Sequence, residues 1–170
     1  LLSGALGFGA FTFKPVKGGI TPNYLSFSPV LRLGYEFDRK FDLAGFVQYS
    51  VGGYKKLVLR EHAQLLFYGA RVSGRIRDVI LGTQVGPAQY LLAKEHDPDT
   101  EYKGRHQGQG WGVFLGTNIR IKKRYFVEVS LDYNQLSFDM KIDEQTKLGK
   151  VIEQYLLSFG FSLDEFPRFF

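Results

Sequence analysis

Four arginines and three carboxylates are the residues of this 170-residue chain best placed to act together. Arg32, Arg71, Arg75 and Arg120, with Glu36, Glu128 and Asp132, lie on the polar side of segments in which polar and apolar residues alternate. In an extended chain, residues two apart share a face. The planar guanidinium fork matches a carboxylate through two parallel N–H···O bonds. The chemistry expected is ion pairing within one internal network, because an unpaired charge in a confined space costs several kcal/mol.

Other reactive residues form weaker patterns. His62, His96 and His106 are assigned to long connections; no two have metal-ligand spacing, and the chain has no cysteine. "DPDTE", Asp97 to Glu101, alternates carboxylates that could hold Ca²⁺, but the twelve-residue ligand pattern with its central glycine is missing. A solvated acidic loop is the preferred reading there. No Ser–His–acid set can be assembled. The expectation is therefore no enzyme, no metal and no cofactor.

The elements carrying the charges are strands. "YFVEVSLDYNQ", Tyr125 to Gln135, sets Tyr125, Val127, Val129, Leu131 and Tyr133 against Phe126, Glu128, Ser130, Asp132 and Asn134. The same alternation runs through Leu25–Phe37, Phe41–Val51, Trp111–Ile121 and Tyr155–Leu163, and less plainly through Leu66–Arg75 and Val79–Tyr90. The opening "LLSGALGFGAFTF" reads as a strand whose parity slips near Ala10 and Phe11, as at a bulge. That makes eight strands. Only "IDEQTKLGKVIEQ" has helical character, within a connection. Tight connections at Asp38–Lys40, Arg77–Asp78 and Lys122–Arg124 take turns with long ones at Lys14–Asn23, Gly52–Ala63, Lys94–Gln109 and Gln135–Lys150.

Composition narrows the class further. The chain is 44% hydrophobic and 16% aromatic with 20 Gly and 6 Pro, which excludes disorder and collagen-like repetition. It suffices for one domain. No run of about 18 apolar residues exists, so no helix is expected to cross a membrane. The net charge of +5 could suggest nucleic acid, but no basic stripe with interleaved aromatics lies on one surface. The start at Leu1, without a leader, is read as that of a mature chain or an excised domain.

Which face turns outward follows from residue type. The polar faces carry Gly, Ser, Asn, Gln, Arg, Asp and Glu, and no Lys lies on the polar side of a clear strand. A water-facing sheet normally carries Lys, whereas a cramped interior favours small residues and Arg. The polar side is therefore expected inside and the apolar side against lipid. Tyr35, Phe37, Phe41 and Tyr125 flank the short turns, while Tyr24, Tyr49, Trp111, Tyr133 and Tyr155 lie toward the long connections, as two aromatic girdles around an aliphatic band. The competing reading is a soluble lipocalin-like barrel with the faces reversed.

The phrases "SPVLRLGYEFDRKFDLAGFVQYSVGG", "GWGVFLGTNIRIKKRYFVEVSLDYNQLSF" and "QYLLSFGFSL" resemble the small eight-stranded outer-membrane β-barrels of the outer-membrane protein A and X type. Their wording is nearest to the outer membrane β-barrel family common in Bacteroidota. The resemblance covers nearly the whole chain and implies an all-β, eight-stranded antiparallel up-and-down transmembrane barrel over 1–165, with 166–170 as a C-terminal tail. It implies short turns on the periplasmic side, long extracellular loops, and a location in the bacterial outer membrane among lipid and lipopolysaccharide. It carries no catalytic motif. Lipid A deacylase barrels place a His and a Ser two apart on one strand, and "HAQ", "HDP" and "HQG" do not.

The function expected is that of a non-enzymatic structural or accessory barrel, contacting a larger outer-membrane assembly through its loops or its wall. The alternatives are a narrow channel or conduit for small hydrophobic compounds, and then a lipid-modifying enzyme.

Overall fold

The computed structural model describes residues 2–14, 23–37, 40–56, 59–94, 105–122, 125–138 and 151–163. The expected 166–170 tail, His96 and the "DPDTE" segment lie outside the described residues. Eight strands form one closed antiparallel barrel in sequence order. They are β1 (Leu2–Phe13), β2 (Asn23–Phe37), β3 (Phe41–Lys56), β4 (Leu59–Ile76), β5 (Val79–Lys94), β6 (Arg105–Lys122), β7 (Tyr125–Phe138) and β8 (Val151–Leu163). β1 pairs with β8, from Leu2 opposite Leu163 to Phe13 opposite Ile152, so the sheet has no free edge.

Exposure settles the orientation of the faces. Leu25, Leu131 and Phe161 are 79%, 61% and 69% exposed, whereas Ser28, Ser50, Asn134 and Gln154 are 0% exposed. Burying serines and amides while exposing leucines is the reverse of a soluble fold, and it is stable only where the surroundings are hydrocarbon. The lipocalin-like alternative falls on this point. On β7 the outward residues between Tyr125 and Tyr133 are Val127, Val129 and Leu131. Eight residue steps at about 3.4 Å, tilted by about 40°, make a band of about 20 Å, close to the apolar height of such barrels.

Four sequence expectations are corrected. β1 has no slip: its pairing with β2 runs unbroken from Leu2↔Leu33 to Thr12↔Asn23. Phe11 and Phe13 are buried inward, so an apolar stretch of the interior imitated a change of parity. The register does shift elsewhere, between Arg120 and Lys122 at the β6–β7 turn. Second, the stretch from Gly52 to Ala63 is mostly strand, with Lys56 paired to Leu59. Third, His62 and His106 lie on β4 and β6, not in connections. Fourth, Val151 and Ile152, from the stretch of helical character, belong to β8.

The ladder is interrupted beside each of two strand prolines. β2–β3 pairing skips from Phe27↔Val51 to Val30↔Gln48 around Pro29, and β4–β5 skips from Phe67↔Ala88 to Ala70↔Val85 around Pro87. Proline has no N–H to give the ladder. At the second gap Gly69 adopts φ 155°, and a Cβ there would meet the Val85 carbonyl oxygen and, at 2.7 Å, the Gly86 Cα. Only glycine lets these two backbones approach so closely.

Val129→Arg, placing a charge in the middle of the apolar band, is expected to cost about 2–4 kcal/mol, and Gln135→Arg, beyond the band, about 0–1. Urea unfolding in lipid vesicles measures both.

Candidate functional site: the barrel lumen

Alternation and closure point eight sets of side chains into one narrow space, which in an eight-stranded barrel is about filled by them. The lumen is built in three layers.

The charged layer lies toward the short turns. Arg32 on β2 donates from Nη1 to Glu128 Oε1 on β7 at 2.6 Å. Arg71 on β4 donates from Nη2 to the same oxygen at 3.4 Å, and its Nη1 lies 3.9 Å from Asp132 Oδ1. The Arg71 guanidinium carbon also sits 3.2 Å from the centroid of the buried Phe114 ring, a cation–π contact inside a desolvated space. Asp132 Oδ2 accepts from Ser158 Oγ at 2.6 Å and Ser130 Oγ at 3.2 Å. Nearer the turns Arg75 Nη1 pairs with Glu36 Oε1 at 3.4 Å.

The seven expected residues are therefore not all in one place. Arg32, Arg71, Glu128 and Asp132 form one cluster drawn from β2, β4 and β7, and Arg75 pairs with Glu36 nearer the turns. Arg120 is exposed at the short-turn rim, 5.8 Å from the Phe126 ring centroid. The ladder shifts register beside it, between Arg120 and Lys122. Asp42, which the sequence reading left out, is buried and accepts from Ser73 Oγ at 3.0 Å.

Above the charges runs an amide and hydroxyl belt. Gln84 Nε2 donates to Asn134 Oδ1 at 2.7 Å, and Asn134 Nδ2 to Gln154 Oε1 at 3.1 Å. Gln48 Nε2 donates to the same Gln154 oxygen at 2.6 Å. Gln154 Nε2 then donates to Ser50 Oγ at 2.9 Å, and Ser28 Oγ to Ser50 Oγ at 2.7 Å. The chain crosses the lumen from β5 to β2, with the amides of Asn134 and Gln154 engaged both as donors and as acceptors.

The third layer, toward the long connections, is apolar. Phe11 stacks on Tyr24 at 5.0 Å and Phe13 meets Tyr90 edge-on at 5.3 Å, while Phe67 also reaches Phe46, on the short-turn side of Gln48, at 4.9 Å. Leu136, Phe138 and Ile152 complete the plug, and His106 stacks on Tyr90 at 6.3 Å. Tyr24 is thus a core residue, not the girdle residue expected from its position near a strand end. A Cβ at Gly52 would come within 2.7 Å of Phe11 Cζ and 2.9 Å of Tyr24 Cβ, so glycine makes the room these rings occupy. The sequence carried a signal for the plug: inward-parity aromatics opposite inward-parity glycines.

Outside the barrel, Tyr35, Phe37, Phe41 and Tyr125 ring the short-turn side, and all are exposed. On the other side Trp111, Tyr133 and Tyr155 form a continuous row at 5.8 and 5.1 Å, with Tyr49 farther round. The Tyr133 hydroxyl donates to Glu153 at 3.1 Å, and Glu153 also pairs with Lys14 at 3.1 Å. An apolar ring body with a polar tip marks the boundary between hydrocarbon and headgroups.

No family model and no curated protein matches the chain. Solved structures do. Neisserial surface protein A superposes with a TM-score of 0.63 at 14% identity, over 96% of this chain and 97% of that one. The attachment invasion locus protein Ail of Yersinia pestis gives 0.63 at 18% identity over 94% and 96%. The same protein in complex with the heparin analogue sucrose octasulfate gives 0.62 at 16% identity over 94% and 96%. At these identities the likeness establishes the fold, while the narrower likeness drawn from the strand phrases rests on those phrases.

Because Glu128 holds two arginines, its loss leaves both without their nearest carboxylate. Glu128→Gln is expected to destabilise by about 3–5 kcal/mol, and Arg32→Ala by less, since Arg71 still faces Glu128. Urea unfolding of the refolded protein, read by the heat-modifiable gel shift, ranks the two. The fold is that of the small bacterial outer-membrane β-barrels, and the apolar outer wall suits a barrel set in hydrocarbon.

Proposed function

We propose that this protein is a non-enzymatic structural or accessory barrel of the bacterial outer membrane, which works through its surfaces and passes nothing through its lumen. The observation that carries the reading is the stacking of a hydrogen-bonded belt beneath an aromatic plug whose members Phe11, Tyr24, Leu65, Phe67 and Leu136 are all 0% exposed. A solute crossing this lumen would have to break the amide chain and displace close-packed rings, each worth about 1.5–3 kcal/mol of burial. With the lumen filled, the surfaces left for work are the connections at the long-loop end and the outer wall.

The long connections face outward in this reading, and the short turns face the periplasm. The partners fitting such surfaces are the surrounding lipid and lipopolysaccharide, held at the aromatic rows, and a larger outer-membrane assembly.

Planar-bilayer recording of the refolded protein is expected to give no discrete current steps. Steps that change in size on Arg32→Ala or Glu128→Ala would overturn the reading in favour of a narrow channel.

A further inference from the structure

Among the described residues, one carboxylate of the charged layer has no arginine at ion-pairing distance. Glu36 pairs with Arg75, Glu128 with Arg32 and Arg71, and Asp132 lies 3.9 Å from Arg71. Asp42 has no cation at ion-pairing distance among the described residues, and its one hydrogen bond comes from Ser73 to Oδ2. The Oδ1 atom is buried and has no hydrogen-bond partner. A carboxylate oxygen left so would cost several kcal/mol.

Three other partnerless atoms belong to residues around the same space, Arg75 Nε among them. Asn118 Oδ1 and Arg32 Nε are buried without partners, and Asp42, Asn118 and Arg32 together line a cavity of about 20 Å³. Their exposures are 9%, 8% and 3%. A cavity needs about 10–15 Å³ for one water, and the water needs two to four polar partners.

The types of these atoms select the ligand. Asp42 Oδ1 and Asn118 Oδ1 are acceptors, and Arg32 Nε–H and Arg75 Nε–H are donors. Water complements that set, since it donates two hydrogen bonds and accepts up to two. A monovalent cation would serve the two oxygens but would oppose the Arg32 guanidinium and leave its N–H unmet. An anion would serve Arg32 and be repelled by Asp42.

We propose that the cavity between Arg32, Asp42 and Asn118 is a binding site for a single ordered water, which donates to Asp42 Oδ1 and Asn118 Oδ1 and accepts from Arg32 Nε. This water completes the charged layer: it solvates the unpaired carboxylate and ties β3 to β2 and β6 where side chains alone do not reach. The amide belt lies beyond it, so water reaches this depth from the short-turn end and goes no farther.

Two measurements on the refolded protein test the site. In crystals diffracting well enough to order solvent, one peak is expected within about 2.7–3.2 Å of all three atoms. In NMR spectra of the micelle-bound protein, the Arg32 Nε–H is expected to show a cross-peak to a long-lived water. Asn118→Leu, which keeps the side-chain size and removes the acceptor, should lose both signals. If that variant does not refold, the wild-type spectrum and density decide the matter alone. Absence of both signals in the wild type, or an anomalous peak at the site after soaking in rubidium salt, would overturn the proposal, the second by showing a cation site.

Discussion

Lipid offers no hydrogen bonds, and every other feature of this protein depends on that. Each backbone N–H and C=O crossing the hydrocarbon must find a partner in a neighbouring strand, so the sheet must close on itself, as β1 does on β8. Closure with eight strands fixes a lumen of side-chain width. Alternation then sends every second residue into that lumen and its neighbours into lipid. The exterior can be uniformly apolar because the solvent there is uniform. The interior cannot be filled by one rule, since it changes from a charged end near the short turns to an aromatic end toward the long connections.

The three layers are three answers to one packing problem. Near the short turns charges are tolerated because each of three arginines has a carboxylate and the fourth carboxylate has a hydroxyl. A buried pair of this kind is weak evidence for stability, since its attraction roughly offsets the cost of desolvation. Its value lies in specificity: Arg32, Arg71 and Glu128 come from three strands, and their contacts cannot form if any of these slips in register. The aromatic plug supplies the net stabilisation. Rings packed against glycine also make the long-loop half of the lumen stiff, a rigid base beneath the connections.

Much of this was legible in the sequence. Strict alternation gave the eight strands and their outward faces, and the distribution of lysine and arginine gave the inside-out assignment. Counting back from the tight turns sets Asn118 opposite Glu128 and Arg71 opposite Gln84, and the ladder pairs them so. What was not legible was everything that breaks alternation. Phe46, Phe114 and Leu156 are inward and buried, but an apolar residue on a polar face looks like noise in a period-two pattern. Phe11 looked like a bulge and Tyr24 like a girdle residue for the same reason. Strand ends were misjudged where the chain leaves the membrane, because outward residues there need no longer be apolar. Asp42 was passed over because no arginine lies across from it, and its partner Ser73 is a residue type that pairing by charge does not find.

The most direct test of a lipid-facing wall around a sealed lumen is spin-label accessibility along β7 and β8. The chain has no cysteine, so single cysteines can be introduced without background. Labels at Val127, Val129 and Leu131 should relax strongly with oxygen, which concentrates in lipid, and weakly with a water-soluble nickel chelate. Labels at the inward Ser130 and Ser158 should respond to neither. Nickel access at the inward positions would contradict the sealed lumen, and nickel access at the outward ones would contradict the barrel's orientation in lipid.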